Sequence, residues 1–437
     1  MTDQDRERER KKSRLRSRML VTDSDGRKSK RPAPQPVFQK ETAPPAAEKD
    51  DRYELRLFLY RALKSLLVLI PAVGLVVGAF ILYTNFQNKE YLTCEVSWEK
   101  EIAEGGASVY TAYGSNVLKY NQDGASYINS AGDVVWNEAY EMRAPMVAIN
   151  GSYAAIADRE GRSIYIFDEN GCQGQVSTTL PVTAITVAGQ GMVAALLEED
   201  EVCYINFFDR AGGRLDIEVK MWMNSQGYPV SFALSPSGTQ MMLSCIYADA
   251  GSMQNKLAFL NFSEVGEELQ DRTAGGFELG GTVSPQVIFM GDTRACAFLD
   301  NGLAFFSMQQ LSPKTPLLPE PGTRVTYAEE IRSVFYDNTR IGVITAGRDG
   351  DFLYQLYLYD SSGRLLLDKG IDFDYETAQV SNYGICLYND SECRIYALNG
   401  RLKYAGELGG TIGKIVMLSP YRLLRIGDQK VAEVVLQ

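Results

Sequence analysis

The sequence predicts a mainly β fold, and three observations identify that fold as a β-propeller. From about residue 104 onward, short runs of β-forming residues alternate with Gly, Asn, Asp and Ser at intervals of about 8 to 12 residues. A strand that ends in a glycine turn also recurs about every forty residues. Each repeat holds about four strand-like runs, and repeats of about 40 to 50 residues with four strands are typical of propeller blades.

The glycine turns set the number of blades. They are "NSAGD", "DENG", "DRAGG", "SEVG", "DSSG" and "LNG", with glycines at Gly132, Gly171, Gly212, Gly266, Gly363 and Gly400. The gaps between them are 39, 41, 54, 97 and 37 residues, and the gap of 97 holds two units if residues 286–308 form a degenerate one. Residues 413–437 supply only three strands, so the last blade needs a strand from elsewhere. The segment "CEVSWEKEI", residues 94–102, is the predicted donor, which gives eight blades, with seven as the alternative.

Ahead of the propeller, residues 65–83 form a run of 19 residues without a charge. At about 1.5 Å per residue, a helix of this length reaches about 28 Å, close to the thickness of a bilayer core. A buried core helix is the alternative. A cleavable signal peptide does not fit, because no small-residue cleavage site follows the run. The prediction is a single transmembrane helix that stays as an anchor.

Charge predicts the orientation of this helix. Residues 1–64 hold 18 Lys and Arg against 11 Asp and Glu, a net of +7, whereas the remaining residues hold 26 against 44, a net of −18. Because the more basic flank of a transmembrane helix usually stays in the cytoplasm, we expect a cytoplasmic N-terminus and an extracellular C-terminal domain. The predicted segments are a disordered basic tail at residues 1–50, a juxtamembrane segment at 51–64, the helix at 65–83, a stalk with the closing strand at 84–103, and the propeller at 104–437.

Two features of the N-terminal part suggest contacts at the membrane. The basic cluster from Lys11 to Arg18 either binds anionic lipid or only fixes topology and solvates the tail. In the predicted helix, Gly74 and Gly78 form a G-x-x-x-G pair, which allows close approach of two helices and predicts a helix-packing site for a homodimer.

The chemistry of the chain favours binding over catalysis. The sequence has no histidine, which excludes Ser-His-Asp and Cys-His catalytic arrangements and histidine-ligated metals. A pair of carboxylates would suffice for glycosidase chemistry, but no spacing selects one. We therefore predict no catalytic, cofactor-binding or metal-binding residues, no cofactor, and no nucleic-acid partner.

All seven cysteines lie on the predicted external side, where disulfides are able to form. Cys386 and Cys393 flank a turn centred on Asn389 and Asp390, and a two-residue hairpin there would place them opposite one another. A disulfide between Cys386 and Cys393 is therefore one prediction, and buried free thiols are the expectation for the others.

Several segments resemble known repeats. The sequences "NSAGDVVW", "CRIYALNGRL" and "LSPSGTQMMLSCIY" are similar to the quinoprotein-like and WD40-like repeats of bacterial propellers. The order of basic tail, anchor helix and exported propeller resembles an uncharacterised single-pass membrane family of Gram-positive anaerobes, over roughly residues 50–437. This resemblance implies a fold and a place in the cell envelope rather than a chemistry.

Three functions are consistent with these features. The first is a non-catalytic scaffold that binds a protein or glycan partner at the cell envelope. The second is a transmembrane sensor of an extracellular ligand. The third is a glycan-active enzyme that works without histidine. The absence of a catalytic constellation favours the scaffold.

Overall fold

The computed structural model describes residues 60, 71, 73–75, 77–78, 89–102, 108–312, 314–347, 350 and 352–437. The chain divides into two compact units, Met1–Val76 and Val77–Gln437. Residues 60, 71, 73–75 and 77–78 are helical. Among the described residues, no helix combines the length and the apolar character needed to cross a membrane. The predicted tail at 1–50 and most of the predicted helix at 65–83 lie outside the described residues.

The described part of the second unit contains 32 strands and a few short helical turns. The first sixteen strands are β1 (Cys94–Glu101), β2 (Val109–Tyr113), β3 (Asn116–Tyr120), β4 (Gly124–Ile128), β5 (Val134–Ala139), β6 (Pro145–Asn150), β7 (Tyr153–Asp158), β8 (Ser163–Asp168), β9 (Gly171–Ser177), β10 (Val182–Val187), β11 (Val193–Glu199), β12 (Val202–Phe208), β13 (Arg214–Trp222), β14 (Tyr228–Leu234), β15 (Gln240–Asp249) and β16 (Ser252–Asn261). The others are β17 (Thr273–Gly280), β18 (Gln286–Phe289), β19 (Arg294–Leu299), β20 (Gly302–Gln309), β21 (Leu318–Thr326), β22 (Ile331–Tyr336), β23 (Arg340–Ala346), β24 (Tyr354–Asp360), β25 (Leu365–Ile371), β26 (Thr377–Ser381), β27 (Gly384–Tyr388), β28 (Glu392–Tyr396), β29 (Leu402–Glu407), β30 (Lys414–Met417), β31 (Arg422–Gly427) and β32 (Lys430–Leu436). The helix α1 (Met223–Gln226) precedes β14, and two 3-10 helices (Glu264–Glu268 and Gln270–Arg272) join β16 to β17.

The strands form eight four-stranded antiparallel sheets, each a blade. Blades 1 to 7 use consecutive strands from β2 to β29, and blade 8 has the order β30-β31-β32-β1. The predicted eight-bladed propeller is confirmed. The degenerate unit at residues 286–308 supplies β18 to β20 of blade 5, and the predicted donor supplies β1, which pairs with β32.

Each blade buries apolar side chains on both faces, as β7 shows. Ala154 and Ile156 belong to the core between blades 1 and 2, whereas Ala155 and Ala157 belong to the core between blades 2 and 3. Because side chains alternate across a strand, a run of apolar residues fills two interfaces at once. This explains why the middle strands lack the alternation of apolar and polar residues that is typical of a sheet with one solvent-exposed face.

The recurring glycine turn of blade 3 docks that blade onto the blade before it. In blade 3, Asp209 Oδ1 accepts hydrogen bonds from the backbone N–H groups of Ala211 and Gly213, at 2.9 Å each. Gly212 has φ +86°, and a Cβ there would lie 2.6 Å from the carbonyl oxygen of Gln175 in blade 2. The turn needs glycine both for its backbone conformation and for this close approach.

The ring closes through side chains on both faces of β1. On one face, Arg425 Nη2 and Lys430 Nζ each donate to a carboxylate oxygen of Glu99 at 2.8 Å. On the other, Trp98 covers Gly132 of blade 1, where a Cβ would come within 2.5 Å of the indole ring. The N-terminal strand is thereby fixed to blade 8 by pairing and to blade 1 by packing.

Candidate binding groove between blades 3 and 4

A groove of about 690 Å³ runs between the outer parts of blades 3 and 4. Residues 218–222 of β13 line one side, and residues of β15 and β16 line the other, together with residues 271–273. We call it the 3/4 groove. Its volume lies within the range of about 300 to 1,000 Å³ typical of ligand pockets.

The groove exists because the outer part of blade 4 carries small residues on the face toward blade 3. Ala258 of β16 lies beside Gly276 of β17 in the register of the two strands. On the opposite face, the next residues along, Phe259 and Phe277, meet Phe306 of blade 5 with ring centroids 5.1 to 5.9 Å apart. Three aromatic rings fill the interface between blades 4 and 5, whereas Ala258 and Gly276 leave the corresponding space open.

The floor of the groove is apolar. Leu243, Cys245 and Leu260 line it and belong to the core that blades 3 and 4 share. Burial raises the pKa of the Cys245 thiol to about 12. Because a thiol with a raised pKa stays protonated, Cys245 behaves here as a small apolar group rather than as a nucleophile.

A cation lies toward each end of the groove. Lys256 holds its ammonium 4.9 Å from the ring centroid of Tyr247. At the other end, Arg272 Nη2 lies 3.3 Å from Glu267 Oε1. Arg272 Nη1 is buried and has no hydrogen-bond partner among the described residues. A buried N–H without an acceptor is costly, so this guanidinium carries an unsatisfied hydrogen-bond donor in the structure.

The backbone that presents Arg272 is strained. Asp271 and Arg272 have φ of +50° and +56°, a left-handed conformation that side chains with a Cβ rarely adopt. Such residues persist only when their surroundings enforce the conformation, and they are common at binding sites. Both residues line the 3/4 groove.

The rim beside α1 presents an aromatic residue. Trp222, the last residue of β13, is 47% exposed. The ammonium of Lys220 lies 4.7 Å from its ring centroid. The backbone N–H of Trp222 donates to Gln226 Oε1 at 2.8 Å, so α1 caps the end of the strand.

A smaller groove of about 400 Å³ occupies the equivalent place between blades 8 and 1. Ile102, Lys119, Ser126 and Glu138 are among its lining residues. Because it is smaller and lies between a different pair of blades, it serves as a comparison for the 3/4 groove.

The two predicted helix-packing residues are both helical. A Cβ built at Gly74 or at Gly78 would meet nothing within 4 Å. The described residues therefore leave these two positions open.

The register corrects the expected opposition of Cys386 and Cys393. The turn is centred one residue later than predicted, because the N–H of Asn389 donates to the carbonyl of Glu392. Cys386 is therefore opposite Ile395, and Cys393 is opposite Tyr388. The two cysteines are therefore diagonal neighbours on adjacent strands rather than a directly opposed pair.

Both residues of this pair are buried free thiols in the structure. A hydrogen bond with the Cys386 side chain, together with burial, raises the pKa of Cys393. Cys203, Cys245 and Cys296 are also buried and free, as expected, whereas Cys94 is only partly buried and Cys172 is exposed, contrary to the expectation. Among the described residues, no group of three or more acidic or cysteine side chains is placed to hold a metal ion.

The sequence did not reveal the 3/4 groove. Its signal is the pair "GG" at Gly275 and Gly276 within a strand, which indicates close approach of a neighbour or an unfilled surface. That signal becomes informative only once the register places Ala258 beside it.

Comparisons with known proteins concern the propeller. A family model described as "Family of unknown function (DUF5711)" matches residues 87–436. No curated protein matches the chain significantly. Among solved structures, BamB from Moraxella catarrhalis is 12% identical over 79% of this chain and 98% of its own, with a TM-score of 0.46. Sqt1 from Chaetomium thermophilum, bound to the N-terminus of the ribosomal protein L10, is 12% identical over 80% and 97%, with a TM-score of 0.46. Hydrazine synthase from Kuenenia stuttgartiensis is 10% identical over 70% and 99%, with a TM-score of 0.40.

Proposed function

We propose, from the premise that the chain belongs to the DUF5711 family, that it is a membrane-anchored scaffold whose propeller binds a partner outside the cell. The observation that carries this proposal is the 3/4 groove. An apolar floor with a few polar groups at its ends is the usual composition of a binding site. The scaffold works without catalysis, and its partner is a protein or a glycan.

The anchor is the charge-free run at residues 65–83. Its length suits a bilayer, and the basic residues that precede it favour a cytoplasmic N-terminus. The propeller, with its excess of acidic residues, then lies on the extracytoplasmic side of the envelope, in the Gram-positive anaerobe that the resemblance implies. Protease added to intact cells should digest the propeller, and its survival would contradict this location.

The anchor also supports pairing of two chains. Gly74 and Gly78 present no side chain, and the described residues leave space above both. Small residues four apart permit close approach of two membrane helices. Two propellers on paired anchors would hold two copies of the same partner close together.

Photo-crosslinking in the host tests the scaffold. Benzoylphenylalanine replaces Thr273, an exposed residue of the 3/4 groove, or Glu320, an exposed residue on the outermost strand of blade 5. A discrete crosslinked species is expected from position 273 and not from position 320. The Ala258→Phe variant, which fills the groove, should remove that species. The same products from both positions, or none from either, would contradict the proposal.

A further inference from the structure

The geometry points to one class of occupant for the 3/4 groove: an extended peptide that adds to β13 as a fifth strand of blade 3 and places a carboxylate at Arg272. This inference rests on the proposed scaffold function and narrows it from any partner to a peptide segment of a protein. Addition of a strand to an exposed sheet edge is a recurring mode of peptide recognition.

The first support is the edge of β13. It is the outermost strand of its sheet, so among the described residues no strand pairs with its other edge. It has nine residues and no proline. Of the outermost strands that the structure describes, only β21 is as long, and Pro319 and Pro321 interrupt its pairing edge. Residues 218–222 pair with β12 without a bulge, so their backbone is regular where the groove runs.

The second support is the surface beside that edge. A fifth strand of blade 3 would lie over the outer part of blade 4, where Ala258 and Gly276 leave space. Alternate side chains of an added strand would point toward the floor formed by Leu243 and Leu260. Five residues of β13 line the groove, and at about 3.3 Å per residue they offer about 16 Å of edge. That length accommodates about two side chains on the floor and matches a short extended segment.

The third support is charge. Arg272 makes one ion pair, to Glu267 at 3.3 Å, and its second terminal nitrogen has no acceptor among the described residues. A carboxylate accepts two parallel hydrogen bonds from a guanidinium, and such bonds are stronger than neutral ones. A peptide with an acidic residue at this end of the groove would form such bonds with the accessible part of the Arg272 side chain, which is 26% exposed.

Synthetic peptides test the inference on the full chain in detergent micelles. The probe is a fluorescein-labelled octapeptide, Thr-Val-Thr-Leu-Thr-Val-Thr-Asp with an amidated C-terminus, and its binding is measured by fluorescence anisotropy. Methylation of alternate backbone nitrogens should abolish binding, because a methylated nitrogen cannot donate to a strand edge. A peptide of the same composition, rearranged to lose the period of two, should bind about tenfold more weakly or worse.

Variants of the protein locate the site. Ala258→Phe should abolish binding, whereas the matched variant Ser126→Phe, in the groove between blades 8 and 1, should bind like the unmodified chain. Replacement of the peptide's Asp by Asn should weaken binding about tenfold, and in Arg272→Gln this difference should vanish. Thermal unfolding of each variant shows whether the propeller remains folded.

Any of the following results would overturn the inference. The methylated or rearranged peptide binding as well as the probe would exclude strand addition. Equal effects of Ala258→Phe and Ser126→Phe would exclude this groove. A dimer of the chain that Ala258→Phe dissociates would make a second copy the occupant, and displacement of the probe by neutral oligosaccharides would make it a glycan. If photo-crosslinking from position 273 succeeds while no probe peptide binds, the scaffold function stands and the peptide class is wrong.

Discussion

At the scale of single residues, backbone conformation and space act separately in the glycine turns. Gly212 and Gly251 have nearly the same φ, +86° and +81°. A Cβ at Gly212 would lie 2.6 Å from Gln175 O on the preceding blade, whereas a Cβ at Gly251 would meet nothing within 4 Å. The two positions therefore distinguish the cost of a left-handed residue from the cost of pushing two blades apart.

We expect Gly251→Ala to lower the free energy of unfolding by about 1 kcal/mol, because only the left-handed backbone is strained. Gly212→Ala should cost about 1 to 3 kcal/mol more, since the methyl group also displaces the backbone of blade 2. Urea unfolding of both variants measures the difference. Equal losses would show that the contact with Gln175 yields without cost and that the turn does not hold the blades in place.

At the scale of elements, the closing strand combines residues that are far apart in sequence. Glu99 of β1 lies between Arg425 and Lys430, more than 300 residues further along the chain. The hydrogen bond from Lys430 and the charges of Lys430 and Arg425 hold the pKa of Glu99 below its ordinary value of 4.5. A lowered pKa in the folded state stabilises the fold above the unfolded value and loses that effect as the pH falls through the folded value.

Glu99→Gln should therefore lower the unfolding temperature at pH 7, because Arg425 is buried and loses its negative partner. As the pH falls below 4.5 and through the lower pKa of the folded state, the difference from the unmodified chain should shrink. Calorimetry between pH 3 and pH 7 measures it. Glu95→Gln is the control, since Glu95 on the same strand accepts a hydrogen bond from the neutral side chain of Gln437. A difference that stays constant with pH would contradict the role of the ion pair.

The sequence predicted what depends on local repetition and on counting. Strand, turn and blade number follow from the period, and the donor strand follows because residues 413–437 are one strand short. The groove escaped prediction because it depends on the register between β16 and β17, which two 3-10 helices and two register shifts set. A shift of one residue also explains why Cys386 and Cys393 are not directly opposite each other, since the turn after Tyr388 begins one position later than its composition suggested.

At the scale of the whole molecule, the described residues form eight apolar clusters, one for each pair of neighbouring blades. The cluster containing Ile102 and Leu424 joins blade 8 to blade 1 and completes the cycle. Every blade that the structure describes therefore has two neighbours, and none of these blades is a terminal repeat. In an open array of repeats, stability is a sum of local terms, and distant repeats are able to unfold independently. A closed ring removes that freedom, because loss of one blade exposes the faces of two others.

This closure makes a prediction about a distant blade. Ile156 of blade 2 is fully buried, and Ile156→Ala should lower the free energy of unfolding by about 2 to 5 kcal/mol. Because the ring opens as a unit, hydrogen exchange should accelerate by a similar factor in β24, across the ring in blade 6, as in β7 itself. Val134→Ala, at an exposed position, is the control. It should change neither the free energy of unfolding nor the rates of hydrogen exchange in β7 and β24, since exposed side chains contribute little to stability. Protection in β24 that stays unchanged while β7 loosens would show that the blades unfold one by one and that the closing strand does not couple them.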